Sequence, residues 1–286
     1  MFLPVLVVLL LAYRPSCSSH YKMFDELVYR INGAFFTVFR ELGNIWEEKD
    51  YEEALESELQ ANGFHVERQK EFEVFYFDQR VGHYRLDLLV EDNIVLELKA
   101  VPEVFSLHKA QIISYLKGYG KPLGILMNFG GAAPYYRIFP NKLTQTSALK
   151  DTFDYNKVKL FHKERIRDLL FMANRILITL GPGYFHQVYR RAFYCELKNS
   201  GAEFDVVKEV TTQFRQKTFT NEKVNFLRTG DLLLSAVAVQ ELTPVILSRF
   251  CHYIKHLHCQ RGLIVNFHAM HLDFRYFELE ELQEER

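Results

Sequence analysis

The sequence predicts an α/β protein built as two tandem domains with the same order of elements. Three observations carry that prediction. ELGNIWEEKDYEEAL at 41–55 is echoed by TLGPGYFHQVYRRAF at 179–193, with Leu42-Gly43 matching Leu180-Gly181 and Tyr51 matching Tyr189. GILMNF at 124–129 is echoed by GLIVNF at 262–267. Between these anchors Asp87 and Glu97 stand ten residues apart, and so do Asp231 and Glu241. Anchors in one order, repeated after about 140 residues, describe a duplicated domain and not a solenoid unit.

Each copy opens on a helix (about 24–42 and 165–180) that ends at a Gly turn, followed by a second helix (about 46–63 and 184–200) with apolar residues at helical spacing. In the first copy strands come next: VERQKEFEVFYF, a Gly-containing turn, YRLDLLVE and NIVLELKAV. A helix over about 107–118 and a final apolar strand, LGILMNFG, complete the unit. The domains are therefore expected at 23–140 and 165–280, with the polar stretch 141–164 as linker and 281–286 as an acidic, solvated tail.

Composition sets outer limits. With 286 residues, 48% hydrophobic and 25% charged, the chain is globular rather than disordered. A formal net charge of −1 excludes a global basic field, so any phosphate-binding surface must be local. Four cysteines, Cys17, Cys195, Cys251 and Cys259, are too few for a disulfide framework in a chain of this length and fit a reduced, cytoplasmic setting. Residues 1–22 complicate that reading. Their apolar run at 2–12 is short for a membrane span and resembles a signal-peptide core, but no Lys or Arg precedes it. The alternative is an upstream extension with translation starting at Met23. No stable membrane association is expected.

The chemistry concentrates in VGHYRLDLLVEDNIVLELKAV at 81–101. Glu91-Asp92-Asn93 is a polar turn between two apolar runs, and a hairpin centred on Asp92 sets Asp87 opposite Glu97. Opposed residues on one sheet face have Cβ atoms about 4.5–5.5 Å apart. Alternation adds Lys99 to that face and sends Leu96, Leu98 and Ala100 to the other. Two carboxylates that close repel unless a cation joins them. Hard oxygen donors suit Mg²⁺ or Mn²⁺, and a lysine beside such an ion can orient a water for phosphodiester hydrolysis. From spacing alone, a salt-bridged patch on an exposed sheet serves equally well.

D-x9-E-x-K on adjacent strands resembles the core motif of the PD-(D/E)xK nuclease superfamily. Over residues 23–130 the chain more specifically resembles the small GxxExxY proteins grouped with it. The matching residues are 81–101, LHKAQIISYLKGYGKPLGILMNFG, and ELG ahead of Glu48 and Tyr51. Ile45 stands where that motif has its leading Gly. The resemblance implies a restriction-endonuclease-like fold in each half, a central mixed sheet flanked by helices. It makes Asp87 and Glu97 metal ligands, Lys99 the catalytic lysine, and Glu48 a further ligand or orienter, with Tyr51 in support. Gln111 and Tyr115, one helical turn apart, match a Q-x-x-x-Y feature of RecB-like nucleases. They would touch DNA or buttress Lys99, and for Tyr115 a place in the core is an equal alternative.

In the second copy Asp231 and Glu241 are expected to remain as a degenerate site. Thr243 would stand at the lysine position, His186 at Glu48 and Arg249 at Gln111, so this half is read as non-catalytic. Cys251, His252, His256, His258 and Cys259 cluster without a second ligand pair, which favours a helix bearing exposed histidines over a zinc site. Lys157, Lys159, Lys163, Arg165 and Arg167 make a basic stretch interrupted by Glu164 and Asp168. The resulting expectation is a Mg²⁺- or Mn²⁺-dependent nuclease acting on DNA, its two halves forming an intramolecular pseudo-dimer. The alternative is a non-cleaving module that binds nucleic acid or protein.

Overall fold

The computed structural model describes residues 24–141 and 163–279. Residues 1–22, Cys17, Met23, Lys157, Lys159, nearly all of the expected linker and the acidic tail lie outside the described residues.

Helix α1 (Asp25–Leu42) buries Ile31, Ala34, Phe35 and Val38, the three-and-four spacing of an inward stripe. Asp25 and Glu26 in its first turn and Arg40 in its last suit the helix dipole. It stops at Gly43, whose φ of 68° a residue with a Cβ adopts only under strain. Helix α2 (Glu48–Ala61) follows, with the backbone N–H of Glu47 donating to the Asp50 carboxylate at its start.

Five further strands lead to the crossover: β1 (Val66–Arg68), β2 (Glu71–Tyr76), β3 (Gln79–Arg85), β4 (Leu88–Val90) and β5 (Ile94–Lys99). Helix α3 (Ser106–Tyr119), β6 (Leu123–Asn128) and β7 (Tyr135–Pro140) complete the copy. The sheet order is β1-β4-β5-β6-β7, antiparallel except for β5–β6, which α3 joins in parallel. Strands β2 and β3 form a separate hairpin, bulged between Val74 and Phe75.

Two strands expected to be continuous are divided. VERQKEFEVFYF breaks at Gln69, whose φ is 56°, and YRLDLLVE breaks at Leu86-Asp87. There the chain leaves the sheet for the hairpin and returns. Gln69 N–H donates to Asp87 O, and Leu86 N–H to Lys70 O, both at 2.9 Å, where the two passages cross. The edge strand β7 adds to the elements expected from the sequence, since YYRIFP has no clean alternation and is only partly covered.

The second copy repeats the order: α4 (Lys163–Leu180), α5 (His186–Asn199), β8 (Asp205–Val207), β9 (Val210–Phe214), β10 (Lys217–Asn221), β11 (Phe226–Thr229), β12 (Leu232–Val237), α6 (Pro244–His256), β13 (Arg261–Asn266) and β14 (Asp273–Glu278). Its sheet runs β14-β13-β12-β11-β8 with β12–β13 parallel, and β9–β10 form the separate hairpin. Side-chain devices recur as well. Tyr51 donates to Gly43 O at 2.9 Å and stacks on Phe129; Tyr189 donates to Gly181 O at 2.8 Å and stacks on Phe267. Asn128 clamps both backbone groups of Val101, and Asn266 those of Val239.

The two halves share a core. One buried cluster joins Leu89, Val95 and Leu126 of the first sheet with Phe72, Val74 and Tyr76 of its hairpin. It continues without a break into Leu170, Val188 and Phe193 of the second copy. A second cluster fills the space between the other face of the first sheet and helices α1 and α2. Polar contacts frame the junction: Tyr76 donates to the Glu196 carboxylate at 2.5 Å, Arg175 pairs with Glu196, and Arg191 donates to Val81 O at 3.1 Å. The Lys117 ammonium reaches Pro182 O and lies 4.7 Å from the centre of the Tyr184 ring.

Such a joint core means that the first copy should not fold alone. Residues 1–141 produced without the rest are expected to bind a hydrophobic dye and to lose the cooperative heat-absorption peak of the whole chain. A sharp calorimetric transition from that fragment would show that its sheet does not need the second copy.

Candidate active site

The β4–β5 hairpin turns at Glu91 and Asp92, both left-handed with φ of 51° and 53°, and pairs Leu88 with Leu96 and Val90 with Ile94. That register puts Asp87, in the bend just before β4, opposite Glu97. The Asp87 carboxylate accepts the backbone N–H of Leu98 at 2.7 Å. Glu97 is fully buried and Lys99 nearly so, on the face turned to the joint core, while Leu96 and Leu98 face α1 and α2.

Lys99 links the acids. Its ammonium is 2.7 Å from Glu97 and 3.1 Å from Glu48, and it also donates to Leu98 O. The Glu97 contact is an ion pair without hydrogen-bond alignment, so both buried Glu97 oxygens lack a hydrogen bond. Glu48 opens α2, and Glu52 follows one turn later on the same side. Carboxylate oxygens of Glu48, Glu52 and Asp87 lie within 4.8 Å of one another. Glu52 is buried and accepts from Gln69 at 3.0 Å.

These residues fit a divalent cation. Glu48, Glu52, Asp87 and Glu97 set four carboxylates against the single ammonium of Lys99, and unpaired buried charge is costly. The donors are all hard oxygens, which suits Mg²⁺ or Mn²⁺. Without an ion, protons must relieve the strain. Burial, aided by Glu48 and Glu52 and opposed by Lys99, pushes the Asp87 carboxyl up to about 6. Burial and then the Asp87 charge push Glu97 well above the carboxylate range. For Lys99, burial alone would lower the ammonium, but Glu97, Asp87 and Glu48 outweigh it and raise it, so it stays charged.

Helix α3 supplies the next ring. Gln111 donates to the Tyr115 hydroxyl at 2.8 Å, and the Tyr115 ring packs edge-on against Phe72 and tilted against Tyr84. Tyr115 is thus a core aromatic with its hydroxyl group tied to Gln111. Burial and the Glu97 charge raise that hydroxyl. Tyr51 is buried away from the acids, its hydroxyl held by Gly43 O and Trp46 N–H, so it shapes the turn before α2. Glu52 and His108 were not singled out in the sequence. The signal for Glu52 was its four-residue spacing from Glu48. His108, held below the usual imidazole range by burial and the Lys99 charge, sits one turn before Gln111.

In the second copy the register corrects the pairing expected from the sequence. Asn266 and Asn128 are equivalent, and their ladder partners are Val237 and Lys99. Ser235 therefore stands at Glu97, and Phe226 at Asp87, because Leu227–Leu234 matches Leu88–Leu96. Asp231 lies instead in the β11–β12 turn, ion-paired with Arg261. Glu241 is exposed beyond the far end of β12. Six residues of strand at about 3.3 Å each separate them. Thr243 caps α6, accepting from Ile246 N–H. His186 and Arg190 occupy the positions of Glu48 and Glu52, so none of the four acids has an acidic counterpart.

Among the described residues, Glu48, Glu52 and Asp87 are the one group of metal-capable side chains within ligand reach, and the Cys251–Cys259 cluster is not such a group. His252, His256 and His258 are exposed on or just after α6. No helix among the described residues is long and apolar enough to cross a membrane.

The Asp87 shift gives a pH dependence. Between pH 3.8 and about 6 the folded protein keeps a proton that the unfolded chain has lost. Stability of the metal-free protein should therefore fall as pH rises through that window. Asp87→Asn should flatten the fall and melt higher than wild type at neutral pH. Thermal melts in chelator across the range test this, and an unchanged slope in the variant would remove Asp87 as its source.

Comparison with curated proteins and with solved structures gave no match. A family model described as the PD-(D/E)XK nuclease superfamily matches residues 25–138 and again residues 163–277, together more than half of the chain. Both matches start at the first helix of a copy and end in its last strand, so the chain belongs to the PD-(D/E)XK nuclease superfamily through two copies in tandem.

Proposed function

We propose that the first copy is a Mg²⁺- or Mn²⁺-dependent nuclease that hydrolyses DNA phosphodiester bonds, and that the second copy is a non-cleaving partner. The observation that carries this reading is the cluster of Glu48, Glu52 and Asp87 carboxylates, beside the Glu97–Lys99 ion pair, within a nuclease-superfamily fold. The likeness of residues 23–130 to GxxExxY proteins supports the narrower placement.

In this reading Glu48, Glu52 and Asp87 hold the ion, while Glu97, expected from the sequence as a ligand, stands outside that group and pairs with Lys99. A bound divalent cation supplies Lewis acidity and lowers the pKa of a coordinated water. In the metal-free protein the acidic neighbours of Lys99 hold it protonated, so it is not the proposed base. It instead donates from a fixed ammonium, orienting the attacking water and offsetting negative charge that builds on the phosphate. Glu97 anchors Lys99, and Leu98 N–H fixes the Asp87 carboxylate, so the pair is oriented before substrate arrives. Gln111, tied to Tyr115, would touch the DNA backbone or support Lys99. The second copy lacks the acids and contributes the surface that completes the joint core, an intramolecular pseudo-dimer. Free thiols at Cys195, Cys251 and Cys259 suit the reduced, cytoplasmic setting.

Purified protein incubated with linear, nicked and single-stranded DNA, with and without Mg²⁺ or Mn²⁺, tests the activity. Cleavage should require the ion, and Lys99→Ala should lower it by at least about a hundredfold with Mn²⁺ binding retained. Glu52→Gln should weaken Mn²⁺ binding by roughly tenfold in calorimetry. Mn²⁺ binding without cleavage of any of these DNAs would favour the non-cleaving binding module.

A further inference from the structure

We propose that chains of this protein associate head to tail, the β9–β10 hairpin of one chain docking on helix α2 of the next. The template is the junction inside the chain. There the β2–β3 hairpin of the first copy lies on α5 of the second, through Tyr76 with Glu196, Val81 with Arg191, and Gly82 beside Val188. The junction is not reciprocal. Val210 of β9 is buried as Phe72 is, but towards the turn β9 and β10 are exposed, whereas Val74 and Tyr76 of the first hairpin are buried.

Register identifies the counterparts. Tyr76 pairs with Gln79, and Phe214 with Lys217, each just before a two-residue turn whose first residue has positive φ. Phe214 thus stands where Tyr76 stands, yet it is 63% exposed against 1%. Phe219, facing Thr212 as Gly82 faces Val74, is 52% exposed. Two aromatic rings are therefore uncovered on the face that the first hairpin buries.

The matching receptor is α2. By the Tyr51–Tyr189 equivalence, Val188, Arg191 and Glu196 of α5 correspond to Asp50, Glu53 and Glu58. Asp50 and Glu53 lie on a different side of the helix from Glu48 and Glu52, so docking there leaves the carboxylate cluster accessible. Charge sets the pairing. Inside the chain, Glu73 and Glu71 are paired with Arg80 and His83 of the same hairpin, and the junction is made by Tyr76 with Glu196 and Arg191 with Val81 O. The uncovered pair carries opposite charges: Arg215 and Lys217 with no acid over 210–221, against Asp50, Glu53, Glu56 and Glu58, with Lys49 the base on the helix itself. Arg68 bridges Glu53 and Glu56 and leaves the helix acidic. Opposite patches on the two ends of one chain form a heterologous contact that closes into rings or extends into filaments.

Sedimentation velocity on the full chain tests this across protein and salt concentration. At low salt the average mass should climb past about twice the 33.8 kDa of one chain, and salt should reverse it. The double variant Arg215→Glu, Lys217→Glu should sediment as single chains, and so should Glu53→Lys, Glu58→Lys. Mixing the two variants should restore association, because each supplies the surface that the other reversed. Wild type sedimenting as one chain throughout, or a mixture that fails to associate, overturns the proposal. If the hairpin variant instead loses affinity for a single-stranded oligonucleotide while wild type stays a single chain, the hairpin binds nucleic acid and the proposal is likewise wrong.

Discussion

The placement of Glu48 and Glu52 against the sheet depends on one buried tyrosine. Tyr51 is fully buried, stacked at 4.3 Å on Phe129 at the end of β6, with its hydroxyl group closing the Gly43 turn. Buried hydroxyl groups must be satisfied, and this one is satisfied by the turn that connects α1 to α2. Helix, turn and strand end are thereby locked together, and Glu48 and Glu52 are delivered to the end of β5 that carries Glu97 and Lys99. The second copy keeps the same lock in Tyr189, Phe267 and Gly181. There it delivers His186 and Arg190. The scaffold is thus independent of the charges it positions, which is why one half can lose its acids and keep its fold.

Within the first copy, the electrostatics run against folding. Burial penalises Asp87, Glu97 and Lys99 together, and one ammonium cannot balance four carboxylates. The surrounding apolar strands, Leu88 to Val90 and Ile94 to Leu98, supply the burial energy that holds the cluster together. Ligation of a cation at such a site would remove repulsion already present.

Much of this was legible in the sequence. The repeat is marked by rigid devices, Leu-Gly turns and apolar strands, whose residue types are fixed by sterics. Hairpin arithmetic about Asp92 gives the observed ladder register, Leu88 with Leu96, which sets Asp87 opposite Glu97 just outside the paired residues. Other features were not readable. Glu52 looks like any solvated helix charge until the sheet is packed beneath it. Asp231 and Glu241 repeat the ten-residue spacing, but Gly230 moves the turn, so Asp231 sits in the turn itself. Spacing along a chain says nothing about which residue forms the turn. The pseudo-dimer is expected from the repeat, but patterns read within one repeat cannot show which sheet face the other half covers.

That shared core constrains how the protein is made. The first copy leaves the ribosome with Phe72, Val74, Val95 and Leu126 lacking their cover, and translation of the second copy takes on the order of ten seconds. Through that interval the nascent chain presents an open sheet face to the cell, and a β2–β3 hairpin with nothing to lie on. Biogenesis should therefore lean on chaperones that shield the emerging half, and slow codons between the copies would prolong the exposure. A host with scarce holdase capacity should yield aggregated nascent chains whose first half is complete and whose second half has not yet been synthesised.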